Sequence, residues 1–192
     1  GLVMSKKFGA MILCSAAAVA TAFFTQQKNL PTEQQNKVSP QAVYMIVNLE
    51  GCVRNPYKCP ADVWTNGVGN THNVDKSKIL TIDEVAADLR QNIKEAENCI
   101  NADFNGRKMN QGQYDAMVSL AFNVGCANIK SYYSKMHRMT LPTTIYRAAK
   151  EEDWTLMCNH IPDFSKSGGR VLKGLQMRRA KEKAICLGEY GI

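Results

Sequence analysis

Behind Lys6 and Lys7 the chain runs without a charge from Phe8 to Phe24. As a helix these 17 residues reach about 25 Å, short of a hydrocarbon core of about 30 Å. Gly9, Ser15, Ala16, Ala17, Ala18, Ala20, Thr21 and Ala22 add far less transfer energy than Leu or Ile would. The pattern predicts a marginal membrane helix that can leave the bilayer. The lysines favour the cytoplasm, which sends the following chain to the oxidising side. A cleaved signal peptide competes, with Ala20-Thr21-Ala22 as its small-x-small site. Gly1, Leu2 and Val3 precede a Met4 that reads as a natural start, so 1–3 read as a vector-derived remnant and 4–25 as the membrane segment.

Residues 26–39 are polar and aperiodic with Pro31 close by, and read as a linker to a domain over 40–192. Ser39-Pro40 starts a helix with Val43, Ile46 and Val47 on one face and Gly51 beyond its end, which puts Glu50 at the terminus. Between Val53 and Asn73, Pro56, Pro60, Asn66-Gly67 and Gly69 punctuate Val63, Trp64 and Val68, predicting short strands and tight turns. Thr81 and Glu84 form a capping box ahead of Ile82, Val85, Ala86, Leu89, Ile93, Ala96 and Ile100 at helical spacing. Further helices are predicted over Gln111 to Asn123, Asn128 to His137, Thr144 to Lys150, Trp154 to His160 and Lys173 to Leu187, with Gly125 and Gly188 as stops. The fold class is α+β, mainly helical, with a small strand-rich lobe joined by a long helix to a helical lobe.

At 192 residues there is room for one well-buried domain and an appendage. The net charge of +7 is spread along the chain and suits an acidic substrate or an anionic surface. Zinc-finger spacing, a basic helix with heptads and an RNA-binding aromatic motif are all missing, which speaks against nucleic acid. Seven cysteines behind an export segment favour disulfides, with at least one sulfur unpaired or exchanging. Zinc is disfavoured, because there is no Cys-x-x-Cys pair and His72, His137 and His160 are scattered.

The most informative stretch runs from Glu50 through Cys59 and Thr65 to Gly69. Gly168-Gly169 with Gly174-Leu175, Arg178-Arg179 and Glu182 forms a second motif, and Phe122-Asn123-Val124-Gly125 a third. Together, in this order, they resemble the phage-type lysozymes, in which a Glu ends the first helix, an Asp follows nine residues later and a Thr six after that. Those offsets fall on Glu50, Cys59 and Thr65, so the chain departs from the family at Cys59. The N-terminal segment resembles that of the signal-anchor-release endolysins, and within them the cysteine-regulated kind.

The resemblance implies a lysozyme-like fold and cofactor-free hydrolysis of the β-1,4 bond between N-acetylmuramic acid and N-acetylglucosamine in peptidoglycan. Such cleavage needs an acid for the leaving oxygen and a partner that activates water or stabilises the oxocarbenium-like centre. Glu50 fits the acid. The resemblance gives it Arg179 as partner, gives Thr65 the attacking water, and lines the sugar cleft with Gly69, Thr71, Phe122 and Asn123. A free thiol is only a few per cent ionised at neutral pH, so Cys59 requires protection or tuning. Asp62 is the alternative carboxylate. Membrane escape would let Cys14 attack Cys52, break a Cys52–Cys59 bond and free Cys59. Cys99, Cys126, Cys158 and Cys186 allow three pairings; antiparallel final helices would join Cys158 to Cys186 and leave Cys99 with Cys126.

These readings imply a monomer, held on the host inner membrane facing the periplasm before release and soluble in the periplasm after it. Two other functions fit less of the sequence. A cysteine hydrolase of wall peptides would use Cys59 with His72 or His160, leaving Glu50 and Thr65 without a role. A non-catalytic wall-binding module would make all the cysteines structural.

Overall fold

The structure is a computed structural model, and it describes residues 11–189. Residues 1–3, read as a vector-derived remnant, Met4, Lys6 and Lys7 and the first residues of the apolar segment lie outside the described residues. The chain forms two compact units, one built from residues up to Asn36 and Val43–Asn92, the other from Lys37–Ala42 and the rest of the chain.

In the first unit the apolar segment is divided. Its helix α1 covers only Ala16–Gln27, begun by Ser15, whose hydroxyl accepts from the Ala18 amide at 3.1 Å. Residues 12–14 are extended and paired with the strand region: Cys14 N–H donates to the Cys52 carbonyl at 3.1 Å, and Arg54 N–H to the Ile12 carbonyl at 2.7 Å. Val19 and Phe23 of α1 are wholly buried. Among the described residues no helix is long and apolar enough to cross a membrane. The stretch read as a linker is fastened at Asn36. The Asn36 amide donates to the buried Gln27 side chain, and the Asn36 side chain reaches the Arg90 carbonyl.

Helix α2, Pro40–Glu50, buries Val43, Ile46 and Val47 as its periodicity requires. Strands β1, Val53–Lys58, and β2, Trp64–Gly67, form an antiparallel pair in which Tyr57 opposes Thr65 and Lys58 opposes Trp64. Helix α3, Ile82–Asp103, begins at the expected capping box, with reciprocal 3.1 Å bonds between Thr81 and Glu84. Its first half belongs to the first unit and its second half to the other.

The second unit contains α4, Gln111–Val124; α5, Cys126–Lys130; α6, Thr144–Lys150; α7, Trp154–Asn159; and α8, Lys173–Cys186. Ile100, Phe104, Met117, Leu120, Ile129, Ile145 and Met157 make its core. The helix expected over Asn128 to His137 is absent. Only α5 forms there, followed by a hairpin of β3, Ser131–Ser134, and β4, Met139–Pro142. Tyr132 and Tyr133 favour extended backbone, and Arg138 turns the chain with φ +51°. A smaller hairpin, β5 Lys166–Ser167 and β6 Arg170–Val171, turns on Gly168 and Gly169, both at positive φ. Three disulfides join Cys14 to Cys52, Cys99 to Cys126 and Cys158 to Cys186, and Cys59 is free.

Candidate active site

Glu50 is half-buried at the end of α2. A Cβ at Gly69 would lie 3.1 Å from its Oε1, and Gly69 itself has φ +60°. Both facts call for glycine: the turn after β2 passes flush against the carboxylate and adopts a conformation that side chains resist. The next residues anchor that turn. Buried Asn70 donates to Asn66 Oδ1 at 2.9 Å and accepts from Asn92 at 3.0 Å, leaving Thr71 and His72 at the surface.

Cys59 sits just after β1, where its N–H donates to the Val63 carbonyl at 2.9 Å. Backbone N–H groups of Val63 and Ala61 hold its thiol below the ordinary range, and the Thr65 hydroxyl adds to the effect. Thr65 is 4% exposed, and its hydroxyl also donates to the Val63 carbonyl at 3.0 Å, so one proton serves either acceptor. Asp62 stands apart from this arrangement. Its backbone is left-handed at φ +61°, and its exposed carboxylate pairs with Lys58 at 3.3 Å.

Tyr57 escaped the sequence reading. Burial pushes its hydroxyl pKa up, and the negative charges of Cys59 and then Glu50 push it further, so it stands within electrostatic reach of both. The available signal was its position two residues before Cys59, since alternate residues of a strand share a face. Trp64 is half-buried, with the ammonium groups of Lys76 and Lys58 5.1 and 5.7 Å from its ring centre.

The remaining expected residues belong to the second unit. Arg179 is wholly buried on α8 and donates to the Asn123 side chain at 2.9 Å and the Phe164 carbonyl at 3.2 Å. Its Nε pairs with Glu182 at 2.6 Å. Burial raises the Glu182 pKa, opposed first by Arg179 and then by the Ser119 hydroxyl. Asn123 and Arg179 line a cleft of about 450 Å³ with Val124, Phe164, Ser167 and Leu175, while Phe122 is half-buried nearby in sequence. Glu50, Cys59, Thr65, Gly69 and Thr71 are therefore grouped in one unit, and Arg179, Phe122 and Asn123 in the other.

Ligand atoms of Cys99, Asp103 and Cys126 gather within 4.8 Å. The two sulfurs are joined to each other and Asp103 pairs with Lys130 at 3.4 Å, so the cluster offers no thiolate to a cation in this oxidation state.

Comparison with known proteins gives the family. Over 186 residues, 97% of this chain and all of the other, it is 83% identical to the SAR-endolysin of Haemophilus phage HP1. Over 143 residues, 74% of this chain and 77% of the other, it is 48% identical to the SAR-endolysin of Escherichia phage P1. The crystal structure of the active form of P1 phage endolysin Lyz, 42% identical, superposes with a TM-score of 0.83, covering 92% of this chain and 95% of that one. The secreted inactive form of Lyz gives 0.53 at 43% identity, covering 70% and 84%. The Phage lysozyme family model matches residues 47–182. On that match, together with a relative this similar along nearly its whole length, the chain belongs to the phage lysozyme family and is a glycoside hydrolase.

Proposed function

We propose that the protein is a phage endolysin that cuts the β-1,4 bond between N-acetylmuramic acid and N-acetylglucosamine of peptidoglycan, and that thiol exchange turns it on. Glu50 gives its proton to the leaving glycosidic oxygen. Thr65 and the Cys59 thiolate act on the water or on the developing positive centre, with Tyr57 holding their spacing to Glu50. Arg179, paired with Glu182, holds the Asn123 side chain in place on the glycan-binding cleft of the second unit.

The observation that carries this reading is a free Cys59 with a lowered pKa beside Thr65, while Cys52 is engaged by Cys14. In the resting state Cys14 lies in the inner membrane and Cys52 is bonded to Cys59. After release into the periplasm the Cys14 thiolate attacks the Cys52 sulfur; the Cys14–Cys52 bond forms, the Cys52–Cys59 bond breaks, and Cys59 leaves as thiolate with no net oxidation. The closer likeness to the active than to the inactive form of Lyz supports assigning the present arrangement to the active state. Against a cysteine peptidase, the groups that lower the Cys59 thiol are backbone amides and the Thr65 hydroxyl.

Differential alkylation and mass spectrometry before and after depolarisation test the exchange, with reducing ends and new amino termini counted on the same samples. Reducing ends appear as Cys52 changes partner from Cys59 to Cys14, and Glu50→Gln lowers their release by at least about a hundredfold. A thiol map that never changes rejects the switch, and new amino termini without reducing ends reject the glycosidase.

A further inference from the structure

The β3–β4 hairpin has no part in the site just described, and its exposure is unusual. Tyr132, Tyr133 and Met139 are half or more exposed, and Met136 at the turn is 87% exposed. Lys135 and Arg138 stand on either side of Met136, both exposed. The base is fixed: the Thr143 hydroxyl donates to the Ile129 carbonyl at 2.6 Å and the Thr143 amide to the Lys130 carbonyl at 3.0 Å. A firmly rooted ribbon thus presents apolar side chains at its tip with cations beside them.

We infer that this hairpin docks the enzyme on an anionic phospholipid bilayer. Tyrosines with an apolar body and a polar end suit the headgroup layer, the methionine at the turn enters below it, and Lys135 and Arg138 keep their charges at the phosphates. The net charge of +7 acts in the same direction. A glycan strand fits less well. Tyr132 and Tyr133 are consecutive on a strand, so their rings leave opposite faces and make no common platform for a sugar.

The test is cosedimentation of the full chain, in its Cys14–Cys52 form, with vesicles of phosphatidylglycerol and phosphatidylcholine or of phosphatidylcholine alone. Binding is expected only to the anionic vesicles and weakens as salt is raised. Lys135→Gln with Arg138→Gln, and separately Tyr133→Ser with Met136→Ser, each reduce it about tenfold or more. Circular dichroism and reducing-end release from wall fragments stay unchanged, because every altered side chain is exposed and remote in sequence from Glu50 and Cys59. Vesicle binding that survives both pairs overturns the proposal and assigns the affinity to the N-terminal segment. Loss of wall binding with vesicle binding intact also overturns it and makes the hairpin a glycan contact. The Glu50→Gln result bears on the catalytic reading alone.

Discussion

At residue scale the unusual feature is a thiol nine positions after Glu50, where a carboxylate is the family's choice. A carboxylate needs no help to ionise at neutral pH, whereas a thiol does, and the loop supplies it through the Val63 and Ala61 amides and the Thr65 hydroxyl. Alkylation of Cys59 by iodoacetamide is therefore expected to be faster near neutral pH than that of an ordinary thiol, and to slow as pH falls through its lowered pKa. Thr65→Ala should shift that rate profile toward higher pH. Gly69→Ala meets both the Glu50 carboxylate and a positive φ, so hydrolysis should drop at least about tenfold and stability by about 1 kcal/mol, read by reducing ends and urea unfolding. The candidate Glu50, Cys59 and Thr65 were legible because offsets in sequence carry them. Tyr57 was not, because an electrostatic neighbour declares itself only when the strand's register is known.

At the scale of elements, helices with strong signals at their ends were readable. The capping box at Thr81 and Glu84, the Ser39-Pro40 start and the Gly125 and Gly188 stops all report local hydrogen bonding, which sequence encodes directly. The segment after Asn128 misled because its apolar residues sit in a ribbon exposed on both faces, so their spacing records no buried stripe. The local cap at the start of α2, where Ser39 Oγ accepts from the Ala42 amide at 3.2 Å, is reinforced from afar: the same hydroxyl donates to Asp115 at 2.5 Å, and the Ser39 amide donates to the other carboxylate oxygen at 3.0 Å. Asp115→Ala leaves those donors unpaired and should cost about 2 kcal/mol in urea unfolding. Close by, buried Glu97 accepts from the Lys37 and Val38 amides, and burial raises its pKa from the ordinary 4.5. The native state thus takes up this proton before the unfolded chain does. The penalty of burying the charge is full above the folded pKa and is relieved as pH falls through it. Wild type should gain stability relative to Glu97→Gln over that window, measured by unfolding at a series of pH values.

For the whole molecule, the apolar N-terminal segment changes meaning between sequence and structure. Its composition marks a poor membrane helix; in the folded protein the same residues supply an extended pairing with β1 and two wholly buried side chains, Val19 and Phe23. Nothing in its hydropathy shows that division, because the break at Ser15 is set by the partner it meets. Phe23→Ala should cost about 3 kcal/mol in the folded enzyme, seen as a lower urea midpoint. The disulfide between Cys158 and Cys186 closes a 28-residue separation, and replacing both cysteines by alanine should cost about 3 kcal/mol by the same measurement. The small residues of α1 carry a further consequence under the proposed route from bilayer to periplasm. Selection reads this stretch twice, in two solvents: a leucine at Ala22 would please the lipid but crowd the protein, and a serine at Val19 would ease departure but spoil the docking. Its alphabet is narrowed from both sides, so a saturation library scored for host lysis should retain fewer variants at Val19, Ala22 and Phe23 than at exposed Ala17 and Thr21 of the same helix.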